Sequence, residues 1–223
     1  GNGNFTDQSE SYLPENGKLG MVSSAVAQDI NQDGLEDLIL AGEFTNLIFL
    51  VNQSGGSFEN QSEKFLSSPI LGWWSSLAQA DMDGDGDLDL IAGNFGENSQ
   101  FEVSDKKLIR LIAADFDQNG SIDPILECYI GEDAYPFPSR DELLSQMVEM
   151  RSKFTTYESY AEAKMGDLFD QDKLENALTL TANTLKSYYL EKTPNGFIPH
   201  ELPRMAQSFP IYAIQTGDFD GDG

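Results

Sequence analysis

Residues 81–89 read Asp-Met-Asp-Gly-Asp-Gly-Asp-Leu-Asp, and the same nine-residue acidic pattern occurs in full at two other places. The complete copies are residues 29–37, 81–89 and 115–123, and a shortened copy starts at Asp218. Oxygen-bearing side chains occupy positions 1, 3, 5 and 9 of each complete copy, and position 6 is always glycine. Repetition of one motif along a chain indicates a repeat architecture.

The pattern predicts a loop that holds a hard cation. Calcium takes roughly six to eight oxygen ligands and tolerates irregular geometry. Glycine at position 6 supplies the positive φ that curls such a loop. Position 7 varies between Leu35, Asp87 and Ser121, which is expected of a residue that contributes only its backbone carbonyl. An Asp- and Gly-rich turn that binds no metal is the alternative, because these residues favour turns in any case.

The EF-hand is a competing interpretation of the same opening residues. An EF-hand needs a bidentate glutamate at position 12 and flanking helices. Position 12 is Leu40, Ala92 and Leu126 in the three copies, which excludes that motif. Short apolar runs flank the copies instead, and they predict β-hairpins with the acidic loops as turns. The predicted strands before the loops are Val22–Gln28, Trp73–Ala80, Leu108–Ala114 and Ile211–Thr216, and those after them are Leu38–Ala41, Leu88–Ala92 and Ile122–Leu126.

Composition limits the class of partner. The 223 residues carry a formal charge of −25, with 39% hydrophobic and 11% aromatic residues, so the chain is expected to fold around a core. Such acidity argues against nucleic acid or an anionic membrane surface as partner. The single cysteine, Cys128, lies in an apolar run and is expected to be buried.

Location is inferred from the metal and from the chain ends. Short exposed calcium loops suit the high calcium concentration outside cells, so we expect an extracellular, cell-surface or periplasmic protein. No signal segment and no membrane-spanning stretch is visible in the sequence, and we expect no membrane insertion. We interpret the sequence as a fragment of a longer protein, from which a signal segment could have been removed.

Spacing of the loops indicates blades of a β-propeller. The first residues of successive copies are 52, 34 and 103 residues apart. The first interval divides into four short strands, with a turn at residues 52–58, and four antiparallel strands per repeat describe a propeller blade.

The longest interval predicts helices. From about residue 132 the period of apolar residues changes from two to about 3.6. Capping boxes at Ser139–Glu142 and Thr155–Glu158 mark two helix starts, the second helix extending to about Phe169, and a third helix is expected from Gln171 to about Lys192. We therefore predict propeller blades over residues 1–131, a helical insertion over 132–196, and a return to the propeller with a truncated fourth repeat over 197–223.

The acidic motif followed by an apolar strand and glycine resembles the FG-GAP/VCBS repeats of integrin α-like propellers. Further segments, such as Gly93–Ser99, Pro138–Leu144 and Leu202–Pro210, resemble bacterial secreted proteins related to cartilage acidic protein. The resemblance implies about seven blades in the whole propeller. It also implies about three Ca²⁺ sites, and a fourth if the last loop is completed. The implied ligands are Asp29, Asn31, Asp33, Leu35 and Asp37; Asp81, Asp83, Asp85, Asp87 and Asp89; Asp115, Asp117, Asn119, Ser121 and Asp123; and Asp218, Asp220 and Asp222.

Two classes of function fit these observations. The first is a calcium-stabilised binding or adhesion module that recognises an extracellular protein or a glycan. The second is a carbohydrate-active propeller enzyme, a hydrolase or a lyase, but the sequence singles out no catalytic residue. The only histidine is His200, and the acidic residues are too numerous for sequence spacing to select a catalytic pair. The oligomeric state does not follow from the sequence.

Overall fold

The computed structural model describes residues 3–217, and these are mainly β structure. Most helices in them are single turns. The strands are β1 (Met21–Gln28), β2 (Asp37–Thr45), β3 (Ile48–Asn52), β4 (Phe58–Asn60), β5 (Gly72–Trp73), β6 (Ser76–Ala80), β7 (Asp89–Gly93), β8 (Ile109–Ala114), β9 (Asp123–Ile130), β10 (Asp133–Pro136), β11 (Leu178–Ala182), β12 (Tyr188–Thr193) and β13 (Gly196–Glu201). The α-helices are α1 (Ser9–Tyr12), α2 (Ser62–Phe65), α3 (Arg140–Gln146), α4 (Tyr157–Ala161), α5 (Met165–Leu168) and α6 (Gln171–Glu175), and 3₁₀ turns cover Pro14–Gly17 and Val148–Arg151.

The strands form three antiparallel sheets within the described residues. Sheet A has the order β1-β2-β3-β4, with β5 also paired to β2. Sheet B has the order β13-β12-β7-β6, and sheet C has the order β10-β9-β8-β11. Three sheets are fewer than the roughly four to eight blades of a closed propeller. The chain divides into two compact units, residues 3–98 with 185–217, and residues 99–184.

The first unit contains sheets A and B around one apolar core. Ile39 and Phe49 of sheet A, Leu90 and Leu190 of sheet B, and Trp74 belong to this core and are fully buried. Strand β2 is also buried on its other face, where Leu40 joins a second apolar cluster. Burial on both faces explains why Leu38–Ala41 is a continuous apolar run and does not alternate with polar residues.

Sheet B is assembled from two distant parts of the chain. The chain leaves this sheet at the end of β7 and returns with β12, where Leu90 pairs with Leu190. The strand order nevertheless follows that of sheet A: a hairpin across an acidic loop comes first, and the next strand of the unit pairs with its second strand. The second unit, residues 99–184, is therefore inserted in the sequence between β7 and β12.

The second unit packs short helices against sheet C. Its core combines Ile112 and Ile125 of the sheet with Leu143 of α3 and Met165 of α5. The predicted capping box at Ser139 is confirmed, because the Ser139 N–H donates to Glu142 Oε2 at 2.8 Å and the Glu142 N–H donates back to the Ser139 hydroxyl. The second capping box lies one residue later than predicted, with Thr156 as the cap and Ser159 as its partner.

Three of the predicted elements are wrong. The second helix does not extend to Phe169, since α4 ends at Ala161 and α5 (Met165–Leu168) is a separate turn. The third helix does not extend from Gln171 to Lys192, since α6 ends at Glu175 and β11 and β12 follow. Alternating Leu and Thr in residues 178–181 suit a strand, and pairing with β8 satisfies their backbone groups. Ile211–Thr216 is not a strand but an irregular segment, tied to β6 by the Ser75 and Ser76 hydroxyls, which donate to the Ile211 carbonyl. The division of the chain at residues 131 and 196 stays a prediction.

The buried hydroxyl of Tyr160 makes the second unit sensitive to alkaline pH. This hydroxyl donates to the Pro138 carbonyl at 2.7 Å. Burial, and to a smaller extent the Glu142 carboxylate, raises the pKa of Tyr160 from 10.0 to about 12. Because the folded-state pKa is above the unfolded value, the stabilisation is complete below about pH 10 and is lost as the pH rises through about 12. We expect Tyr160 to reduce the unfolding free energy by about 2 kcal/mol across this interval.

Urea unfolding between pH 8 and pH 12 measures this effect, with Tyr160→Phe as the comparison. The variant retains the ring but has no proton to lose, so its stability should fall less steeply above pH 10. Identical pH profiles for the two proteins would contradict the assignment.

Candidate metal centre

The three complete acidic copies form loops with one shared backbone arrangement. Loop 1 is residues 29–37 between β1 and β2, loop 2 is residues 81–89 between β6 and β7, and loop 3 is residues 115–123 between β8 and β9. All three are hairpin turns, as the sequence predicts. In each, the carboxylate at position 1 accepts the N–H of the glycine at position 6. These bonds are Gly34 to Asp29 at 2.8 Å, Gly86 to Asp81 at 3.0 Å, and Gly120 to Asp115 at 2.9 Å.

Backbone conformation in the loops explains the glycine at position 6 and adds a second special position. Gly34, Gly86 and Gly120 have φ angles of 88°, 94° and 90°, as expected for a curled loop. Position 4 is also left-handed, and only loop 2 has a glycine there. Its residues are Gln32, Gly84 and Gln118, with φ of 61°, 79° and 59°. The sequence pattern alone does not reveal this second positive φ, because glutamine does not signal it.

The aspartate at position 9 is the buried member of each loop. Asp37, Asp89 and Asp123 are 0%, 1% and 3% exposed, and each is the first residue of the strand after its loop. One carboxylate oxygen closes the loop by accepting the N–H of position 2. This bond is 3.0 Å long in all three loops, from Ile30 to Asp37, from Met82 to Asp89 and from Phe116 to Asp123.

The other oxygen of position 9 joins the loop to its surroundings. The Asn52 N–H, at the end of β3, donates to Asp37 at 2.7 Å. The Lys192 N–H, in β12, donates to Asp89 at 2.7 Å. In loop 3 a side chain takes this place, and Gln146 Nε2 donates to Asp123 at 3.3 Å. Position 9 therefore holds the loop closed and fixes it to the neighbouring strand or helix.

Positions 1, 3 and 9 lie together, and this is the geometry that a cation needs. Oxygen atoms of Asp81, Asp83 and Asp89 lie within 4.8 Å of one another, and so do those of their counterparts in loop 3, Asp115, Asp117 and Asp123. Calcium binds oxygen at about 2.3–2.6 Å, so two ligands of one ion lie at most about 5 Å apart. Both groups fit this limit.

Loop 1 differs at position 3, where Asn31 replaces a carboxylate. Its amide oxygen accepts the Asp33 N–H at 3.0 Å, and its amide nitrogen donates to the Asp33 carboxylate. Asn31 therefore still offers an oxygen atom on the loop, but without a charge. Loop 3 has its amide at position 5 instead, in Asn119. Loop 2 carries the largest number of carboxylates and is expected to bind a divalent cation most strongly.

Position 5 is placed differently from the other predicted ligands. Its side-chain oxygen accepts the N–H of position 7 in each loop, from Leu35 to Asp33, from Asp87 to Asp85, and from Ser121 to Asn119, at 2.8, 3.0 and 2.8 Å. This bond orients the backbone of position 7, the residue predicted to offer its carbonyl. In loop 2 the cluster of carboxylates includes position 3, Asp83, and not position 5, Asp85.

The clustered aspartates of the loops are not neutralised by salt bridges. Among residues 3–217, the salt bridges involve no aspartate of the three loops. Burial raises the pKa of Asp37, the bonds from Asn52 and Ile30 act against this, and the carboxylates of Asp33 and Asp29 add to the increase. A divalent cation would relieve this repulsion.

Asp87 supports the same conclusion in loop 2. Its Oδ1 atom is buried and has no hydrogen-bond partner among the described residues. Desolvation raises the pKa of Asp87, the nearby Asp85 carboxylate raises it further, and Lys192 opposes the shift. A buried carboxylate oxygen without a partner is unfavourable unless a cation or an ordered water satisfies it. The residues of loop 2 thus fit a metal ion.

Several residues that support the loops were not predicted. The Tyr189 hydroxyl donates to Asp89 at 3.0 Å, and Gln28 Nε2 donates to the Leu88 carbonyl of loop 2 at 2.7 Å. Gln28 precedes loop 1, so it connects the two loops of the first unit. Tyr189 pairs with Ile91 across sheet B, a contact over about 100 residues of sequence that no local pattern signals. The three predicted ligands of the fourth loop, Asp218, Asp220 and Asp222, lie outside the described residues.

Part of the first unit matches a known type of repeat. Residues 29–92 match the FG-GAP-like repeat. The matched range begins at the first residue of loop 1 and ends in β7, so it includes both acidic loops of the first unit and most of sheet A. No curated protein and no solved structure matches the chain.

The structure also shows the surroundings of His200 and of the two tryptophans, which lie outside the loops. His200 Nε2 lies 2.9 Å from Glu191 Oε2, and its ring stacks on Tyr189 at the surface. Trp74 is fully buried in the core, whereas Trp73 is half-buried and packs against Phe44 and Phe95. Within residues 3–217, no helix has both the length and the apolar character that crossing a membrane requires.

Proposed function

We propose that this chain is a calcium-stabilised, extracellular binding module built from propeller blades with hairpin metal loops. The observation that carries the proposal is the loop geometry: in loops 2 and 3 three carboxylates lie within 4.8 Å of one another, and all three loops share the hydrogen bonds that hold positions 1 and 9 in place. The FG-GAP-like repeat in residues 29–92 supports it, because such repeats suggest an integrin-like extracellular module. The nearer resemblance to bacterial relatives of cartilage acidic protein stays a prediction.

The ions would be held by positions 1, 3 and 9 of each loop, together with the carbonyl at position 7. When bound, the cation supplies the positive charge that the clustered carboxylates lack. The role proposed for it is structural: it fixes each hairpin turn and leaves the neighbouring polar surface in one conformation. We expect this surface to bind an extracellular protein or a glycan, and adhesion is one form of such binding.

Isothermal titration of calcium into metal-free protein tests the proposal. We expect about three ions to bind for each chain from loops 1 to 3, with the tightest site in loop 2. The double variant Asp81→Asn and Asp83→Asn should remove one site. The control, Glu10→Gln and Glu63→Gln, changes the charge equally at exposed positions outside the loops and should leave the number of sites unchanged. Absence of binding heat, or an unchanged stoichiometry in the loop 2 variant, would overturn the proposal.

A further inference from the structure

A polar cleft lies beside loop 1, on the first unit. Its volume is about 420 Å³. One wall is formed by Asn31, Asp33 and Leu35 of loop 1, a second by residues 52–54 at the turn after β3, and a third by Gln61 and Lys64 at α2. Val51 of β3 also borders the cleft, although it is buried in the core. Ligand sites typically have volumes of about 300–1,000 Å³, so the cleft has room for one or two sugar rings.

Two amide side chains of this cleft, Asn52 and Gln53, are held by their nitrogen atoms, which leaves their oxygen atoms as acceptors. Asn52 Nδ2 donates to the Glu36 carbonyl at 3.0 Å, and Gln53 Nε2 donates to the Val51 carbonyl at 3.2 Å. The structure gives the Asn52 Oδ1 and Gln53 Oε1 atoms no hydrogen-bond donor among the described residues. The turn that carries them is itself fixed, since the Gln53 N–H donates to the Ser57 carbonyl at 2.7 Å.

The cleft also offers hydrogen-bond donors and an apolar contact. The Ser54 hydroxyl and the Lys64 ammonium line it, and Leu35 adds apolar surface. The ionised side chains among the lining residues are Asp33 and Lys64, whose charges cancel. A charged ligand gains no net attraction from this lining, and an anion is repelled by the total charge of −25. Fixed acceptors, donors and the apolar side chain of Leu35 match the hydroxyl groups and C–H faces of a neutral sugar.

From this arrangement we propose that the cleft beside loop 1 is a binding site for a neutral saccharide. The inference rests on the proposed function, because two predicted metal ligands, Asn31 and Asp33, form one wall. The opposite wall is connected to the same loop, since the Asn52 N–H donates to Asp37. A cation in loop 1 would therefore hold both walls in place, and saccharide binding should weaken when calcium is removed.

Saturation-transfer difference NMR with maltose, cellobiose and lactose tests the proposal on calcium-loaded protein. At least one disaccharide should bind, and amide shifts in ¹⁵N spectra should cluster at residues 51–54 and 61–64. The variant Gln53→Ala with Ser54→Ala should weaken binding about tenfold, as expected for the loss of two hydrogen bonds. Ser57→Ala is the matched control, on the same turn but outside the cleft, and it should bind as the unaltered protein does. Circular dichroism establishes that each variant is folded.

The possible results separate this inference from the proposed function. Calcium binding by titration without binding of any of the three disaccharides would overturn the cleft assignment alone. Disaccharide binding that is unaffected by Gln53→Ala with Ser54→Ala, or shifts located elsewhere on the chain, would also overturn it. If no calcium binds, the proposed function fails, and a disaccharide that still binds at residues 51–54 would keep the cleft as a metal-independent site. Stronger binding of galacturonate or of a lysine-rich peptide than of the disaccharides would contradict the neutral ligand class.

Discussion

Removal of calcium is expected to destabilise the first unit about twice as much as the second. Loops 1 and 2 belong to the first unit and loop 3 to the second, so chelation removes two ions from one and one ion from the other. A site held at 100 times its Kd contributes about 2.7 kcal/mol, which gives about 5 kcal/mol for the first unit and about 3 kcal/mol for the second. These are large parts of the usual stability of a domain, about 5–15 kcal/mol.

Hydrogen exchange followed by mass spectrometry measures the two units separately. With EDTA, peptides from β2 and β7 should lose more protection than peptides from β9. The double variant Asp115→Asn and Asp117→Asn should abolish the response of β9 alone, because it removes two of the three clustered carboxylates of loop 3. Magnesium in place of calcium should restore little protection, since it requires a regular octahedron and keeps several waters. Equal exchange with and without EDTA in all three strands would contradict a structural role for the metal.

Replacement of the buried aspartate of loop 2, Asp89→Ala, is expected to destabilise the first unit even without metal. Asp89 accepts three hydrogen bonds, from the N–H groups of Met82 and Lys192 and from the Tyr189 hydroxyl. Alanine leaves these donors unsatisfied in a buried place, and each unsatisfied group costs about 1–3 kcal/mol. We expect a loss of about 3–5 kcal/mol in urea unfolding with EDTA present.

Asp85→Ala is the matched comparison in the same loop. Asp85 is exposed and accepts one bond, from the Asp87 N–H, so this variant should change the stability in EDTA by less than about 1 kcal/mol. Both variants lose one carboxylate, and any difference between them reports the buried network and not the charge. If the two variants are equally stable in EDTA, position 9 acts only as a metal ligand.

The sequence predicted the acidic loops well because interactions between residues close in sequence determine them. Alternating oxygen side chains and a glycine at position 6 determine a tight hairpin turn within nine residues, and the structure has that turn in all three complete copies. The double role of position 9 was not foreseeable in the same way. Its second hydrogen bond comes from Asn52 in loop 1 and from Lys192 in loop 2, and only the sheet order brings these residues to the loop.

The region from Gln171 to Lys192 shows where local pattern fails. Leu174, Leu178, Leu185 and Tyr188 share a helical phase, yet β11 occupies residues 178–182. A helical pattern shows which side chains would lie on one face of a helix. It takes no account of the backbone hydrogen bonds that a neighbouring strand offers. The free edge of β8 provides those bonds to residues 178–182, and the Leu-Thr alternation also fits a strand.

The insertion of the second unit between β7 and β12 in the sequence has a consequence during synthesis. Strand β7 is complete about 100 residues before its partner β12 is made, as the Leu90–Leu190 pair shows. At roughly 5–20 residues per second, the β6–β7 hairpin waits about 5–20 s with one edge and its apolar residues Leu90 and Ala92 uncovered. Residues 99–184 are continuous and emerge first, so this unit has its whole sequence available before sheet B does. A nascent chain stopped between the two strands would be the aggregation-prone form of this protein and a natural substrate for chaperones.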